Sequence, residues 1–196
     1  MAYSEVTARA GNSLMRTFML RLTGMLQSLL GGAGGQYIDN PNGLFFQTSS
    51  QSLAAVNTGY PIEFNQTYLN NYVSVVDSSK LTVAVGGVYN FQYTGSVKST
   101  SSSAKDIFLW IVRNGTTIGY SCAPYTLSGS DTYGRVSWNF SIDLDEGEYV
   151  QIYWGADDTN VQLTTLAATA WHPAIAASTC AVMYSSALPE TRPTAP

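Results

Sequence analysis

Few residues in this chain could do chemistry, and most of them are acidic. Asp143, Asp145, Glu146 and Glu148 crowd around Gly147. Hard cations such as calcium want several oxygen ligands, and such a group can supply them. The spacing is not that of an EF-hand loop. A glycine among charged residues also reads as the turn of a hairpin with solvated carboxylates, and that reading is preferred. Asp157 and Asp158, followed by Asn160, read as a turn as well. Glycoside hydrolysis needs only a carboxylate pair, which sequence alone leaves open. The single histidine, His172, precedes Pro173, so its backbone is biased to extended or turn geometry. No Ser or Cys partner motif accompanies it, so it reads as a surface or packing residue. Cys122 and Cys180 are too few for a four-ligand zinc site or a disulfide framework. They read as two buried thiols, with a single pairing as the alternative. No enzymatic activity, cofactor or metal is expected.

The remaining composition narrows the class. In 196 residues only 11% are charged, against roughly 25% in an average globular chain. Ser, Thr, Asn, Gly and 13 Tyr take their place. A disordered chain has few aromatics and much charge, the reverse of this. Nine basic residues face 13 acidic ones, with net charge −4 and no basic cluster. No nucleic-acid partner is expected, because nothing is available to neutralise phosphates. The longest apolar stretch, residues 18–30, is broken by Arg21 and Gln27. It falls short of the ~20 apolar residues of a membrane span and makes a poor secretory signal, so no membrane partner is expected.

The elements that must position these residues change character near residue 35. Residues 1–30 are rich in Leu, Met, Ala and Arg, all good helix formers. Met15, Met19, Leu22, Leu26 and Leu29 recur at four- and three-residue steps, the seam of an amphipathic helix. Such a face needs a partner surface, so residues 1–30 are expected to anchor or oligomerise the chain. Residues 31–42 hold Gly31-Gly32-Ala33-Gly34-Gly35 and read as a flexible linker. Residues 187–196 carry three prolines and read as an extended tail.

Between linker and tail, residues 43–186 run in short stretches of Val, Ile, Thr, Tyr, Phe and Trp, split by Asn-Gly, Gly-Gly and Ser clusters. Many strands without an intervening helix predict an all-β, antiparallel sandwich. Expected strands include 44–48, 54–57, 60–68, 72–76, 80–85, 88–97, 106–113, 116–121, 133–144, 149–155, 160–165 and 179–185. Residues 133–144 alternate cleanly, with Val136, Trp138, Phe140 and Ile142 on one face and Arg135, Ser137, Asn139 and Ser141 on the other. Residues 106–113 do not alternate: Ile107, Leu109 and Ile111 take one face, and Phe108, Trp110 and Val112 the other. Residues 149–154 behave similarly, with Tyr149 and Tyr153 opposite Val150, Ile152 and Trp154. A strand apolar on both sides must be covered on both, and the simplest cover is another copy of the chain. Phe108, Trp110, Val112, Tyr149 and Tyr153 are therefore the expected subunit interface, with the reverse assignment of the 106–113 faces still open. The loop 120–133 mixes aromatic and polar groups and is the candidate for binding a ligand such as a glycan.

Three motifs carry a family resemblance. Gly87-Val-Tyr-Asn-Phe-Gln-Tyr, a strand ending Arg113-Asn114-Gly115, and Trp138 to Ile152 with Asp145-Glu146-Gly147-Glu148 at its turn occur in this order. They resemble the complement globular-head (C1q-like) and tumour-necrosis-factor-like jelly rolls, and most closely the jelly-roll domains of tailed-bacteriophage virion proteins. The resemblance covers residues 43–186. It implies a jelly roll that forms a homotrimer, in a non-enzymatic virion structural protein assembled in the host cytoplasm. Capsid decoration (cement) and head-fibre roles fit the short chain, with residues 1–30 attaching to other virion proteins of the capsid, neck or tail. The alternative is the receptor- or glycan-binding tip of a tail fibre, facing host-surface glycan. Collagen-like Gly-x-y repeats, present in some members, are missing here.

Overall fold

The computed structural model describes residues 40–129 and 132–188. The expected helix with Met15, Met19, Leu22, Leu26 and Leu29 lies outside these residues, as do linker positions 31–39 and tail positions 189–196. The strands are β1 (Asn42–Gln47), β2 (Gln51–Ser52), β3 (Tyr60–Pro61), β4 (Gln66–Asn71), β5 (Val73–Val76), β6 (Lys80–Val83) and β7 (Gly87–Ser99). They continue as β8 (Lys105–Arg113), β9 (Thr116–Thr117), β10 (Ala123–Leu127), β11 (Thr132–Leu144), β12 (Tyr149–Ala156), β13 (Val161–Leu163) and β14 (Ser178–Ser186).

All pairings are antiparallel and fall into two sheets. The first runs β11-β7-β14-β1-β4, with β13 continuing the line of β14 beside β7 and β2 beyond it. The second runs β10-β8-β12-β6-β5, with β3 beside β12 and β9 beside β8. The pairs β1·β14, β6·β12, β7·β11 and β8·β10 join first element to last, working inward. That nesting, split over two sheets, is a jelly roll.

Alternation places the core. Tyr89, Phe91, Tyr93 and Val97 of β7 are buried, and their neighbours across the ladder are Ile142, Phe140, Trp138 and Gly134 of β11. The second sheet answers with Ile107, Leu109 and Ile111 of β8 and Val150, Ile152 and Trp154 of β12, all buried. Phe91 and Phe140 stack with centroids 4.9 Å apart and planes 5° apart. Two tyrosines carry hydroxyls into this interior. Burial pushes Tyr89 up to about 12, and its hydroxyl donates to the Val85 carbonyl at 2.6 Å. The wholly buried Tyr93 hydroxyl is pushed up further by burial, and shares a hydrogen bond with Ser178 Oγ at 3.0 Å. A buried hydroxyl without such a partner costs stability.

Several expectations shift. Residues 54–57 form a turn, with Asn57 at φ 53°. Strand 116–121 stops at Thr117, because the chain turns off at Tyr120 (φ 59°). The largest change is at the expected loop 120–133, much of which is β10. Pro124 argues against a strand there, but β10 is a sheet edge, where a proline costs no ladder hydrogen bond. Both cysteines are free thiols, but only Cys180 is buried as expected; Cys122, just before the edge strand β10, is exposed.

Candidate functional site

The register settles which face of the two-sided strands points inward. Ile107, Leu109 and Ile111 meet the first sheet, so Phe108, Trp110 and Val112 point outward. Trp110 pairs with Tyr153 across the β8–β12 ladder, and their rings lie 5.9 Å apart. Phe108 lies opposite Gly155 and is 37% exposed. Tyr149 sits at the far end of β12, with Lys80 Nζ 5.2 Å from its ring centroid.

Much of the cover for this face comes from the chain itself, which the sequence reading did not anticipate. Residues 57–59 lead into β3 along the side of β12 away from β8, tied down where the Asn57 amide donates to the Ala156 carbonyl at 2.9 Å. A Cβ on Gly59 would lie 2.3 Å from Trp110 Cζ2, and one on Gly155 would lie 2.9 Å from the Thr58 carbonyl oxygen. Two glycines therefore let this segment, β12 and the far edge of the indole pack closely. Val112 is buried within the single chain, opposite Gln151, whose amide donates to Ser79 Oγ at 2.8 Å. What stays open is centred on Phe108, beside a depression of about 290 Å³ that Trp110, Cys122 and Gly155 help to line.

The outer face of the first sheet differs. Across β7 and β11 it is a polar ladder, in which Asn90 donates to Asn139 Oδ1 at 2.7 Å and to Ser141 Oγ at 3.1 Å. Towards β1, β4 and β14 it becomes apolar, with Leu69 47% and Met183 44% exposed. A depression of about 750 Å³ opens there, walled by the 165–176 loop. That loop is closed by a Leu166–Ile175 bridge and by the Thr169 amide donating to the His172 carbonyl at 2.9 Å. Phe46, Gln66, Tyr68, Arg135 and Thr179 line its floor. These residues escaped sequence reasoning, since they come from four strands and share no motif.

The candidate chemical residues are held in structural roles. Glu148 accepts from Arg113 Nη2 at 2.5 Å, Asn114 Nδ2 at 2.6 Å and the Asp145 amide at 2.8 Å. Burial opposes its charge, but these donors outweigh it and hold the carboxyl below the usual glutamate range. Asn114 (φ 47°) and Gly115 (φ 82°) form the two-residue turn between β8 and β9, the left-handed pair such hairpins need. Asp158 bonds the Asn160 amide at 2.9 Å and pairs with Lys105 at 3.0 Å, while Asp157 accepts from the Asp106 amide at 3.1 Å. His172 Nδ1 contacts its neighbouring Pro173 carbonyl at 2.7 Å, and Trp171 beside it is 85% exposed. Among the described residues, no three His, Cys, Asp or Glu side chains converge as a metal site. Among the same residues, no helix is long and apolar enough to cross a membrane.

No family model matches the chain, and no curated protein matches it. Among solved structures it is similar to the globular domain of zebrafish complement 1qA protein. The two are 16% identical, with 74% of this chain and 96% of that chain covered, at a TM-score of 0.46.

Proposed function

We propose that this chain is a non-enzymatic structural protein of a tailed-bacteriophage virion, a homotrimeric jelly-roll knob attached through residues 1–30 to the capsid, neck or tail. The observation that carries the trimer is Phe108. It is a large aromatic on the outward face of a central strand, left 37% open after the chain's own 57–59 segment has covered Trp110. An apolar residue at the centre of a β face is where a second copy gains most by burial, about 1.5–3 kcal/mol for a side chain of this size. The virion reading rests on the motif order along residues 87–152 and on the seam Met15, Met19, Leu22, Leu26 and Leu29, an apolar face that wants a surface to dock on. Topology adds to it. Asn42 pairs with Met183, so the jelly roll starts and finishes at one end, while the 165–176 loop lies at the other.

Light scattering on the full chain tests the assembly, with a mass three times the 21.1 kDa of one chain as the expected result. Phe108→Asp is expected to yield monomers that keep the wild-type fold, because a charge would otherwise be buried unpaired. Met183→Asp, on the outer face of the first sheet, is expected to leave the trimer intact. A monomeric wild type, or a trimer broken by the Met183 variant alone, overturns the interface. For the virion role, residues 36–196 are expected to trimerise but no longer join the particle.

A further inference from the structure

The depression on the first sheet has a composition that the structural role does not use. Its floor residues come from β1, β4, β14 and β11, and β4 and β11 lie four strand steps apart in the sheet, about 19 Å at ~4.8 Å per strand. At one side stands Tyr68, 80% exposed, with its ring set edge-on to Phe46 at 6.4 Å. At the other side stands Arg135, exposed and, among the described residues, without an ion-pair partner. Gln66, Thr48, Thr165 and Thr179 put amide and hydroxyl groups between them. No Asp or Glu lines the depression, although the chain carries net charge −4. An exposed aromatic face, neutral hydrogen-bonding groups and one unopposed guanidinium suit a ligand with apolar ring faces, many hydroxyls and a carboxylate.

The geometry points to a binding site for a carboxylated oligosaccharide, with one pyranose ring over Tyr68 and the carboxylate of another on Arg135. The width of the floor separates the two anchors by more than one sugar, so a monosaccharide reaches only one of them. Arg holds a carboxylate by two parallel hydrogen bonds, which is where the preference for acidic sugars arises. The 165–176 loop, closed on itself and carrying Trp171 outward, supplies the remaining wall. This inference goes beyond the structural role proposed above and does not depend on which virion part the chain occupies.

Isothermal titration of the full chain with tetragalacturonate and tetrasialic acid tests it, against neutral cellotetraose, monomeric galacturonate and inorganic polyphosphate. At least one acidic tetrasaccharide is expected to bind about 10-fold or more tighter than the neutral tetrasaccharide and the monosaccharide, a gap of ~1.4 kcal/mol. Arg135→Gln is expected to bring acidic binding down to the neutral level, and Tyr68→Ala to abolish both. Both side chains are exposed, so neither variant threatens the fold. Acidic and neutral tetrasaccharides binding alike, polyphosphate binding as tightly as the sugars, Arg135→Gln without effect, or no titration by either acidic tetrasaccharide would each overturn the inference. None of these outcomes touches the trimer mass or the response to Phe108→Asp, so the two readings fail separately.

Discussion

At the scale of the residue, Glu148 is a clamp. Its carboxylate ties the turn at Gly147 to Arg113 and Asn114 of the neighbouring hairpin. Its folded pKa lies below the ordinary value of about 4.3, so its stabilisation is in place above that value and is lost as pH falls through the folded one. Glu148→Gln is therefore expected to lower stability at pH 7 by about 1–2 kcal/mol, the scale of hydrogen bonds to a charged group. The gap to wild type should close as pH falls through the lowered folded value, and urea denaturation at pH 7 and under acid conditions measures it. Gly59 tests a different kind of fit. Gly59→Ala puts a methyl against the Trp110 indole and should cost about 1–3 kcal/mol through overpacking. A blue- or red-shifted indole emission together with a lower urea midpoint would report the displaced 57–59 segment; an unchanged midpoint would show that the loop moves freely.

At the scale of the element, β7 and β11 are the longest pair, in register from Ser99↔Thr132 to Gly87↔Leu144. β11 is the edge of its sheet, so Trp138, Phe140 and Ile142 are only half-buried although they face the core side. Their hold comes from cross-strand contacts as much as from burial. A double-mutant cycle on Phe91 and Phe140 should give a coupling of about 0.5–1.5 kcal/mol, the range of aromatic pairs beyond their buried area. Coupling near zero would make the parallel stack incidental. β11, with its strong alternation, was legible in the sequence almost to the residue, and β7 to within two residues at each end. β10 was not, because Pro124 breaks the strand grammar and only the position at a sheet edge excuses it.

At the scale of the whole molecule, the two outer faces divide the expected work between assembly and recognition. The second sheet offers Phe108 and its shallow surroundings, and the first offers a broad floor with one unopposed cation. Salt should separate the two. Burial of apolar surface holds a trimer at 0.5 M NaCl, whereas an exposed Arg–carboxylate contact weakens as the screening length shrinks. Sedimentation and saccharide titration at low and high salt check that pairing.

The sequence alone determined the all-β class, the antiparallel sandwich and the inward set of β11, since a period of two assigns faces without knowledge of the neighbours. It also marked β8 and β12 as apolar on both sides. It did not determine which of those sides was the core or what covered the other. Those answers depend on the β8–β12 register and on a segment, residues 57–59, brought against β12 and the Trp110 indole by folding. The floor holding Tyr68 and Arg135 belongs to the same class of fact. Its residues lie far apart along the chain and become neighbours only because a jelly roll lays its first, middle and last strands side by side.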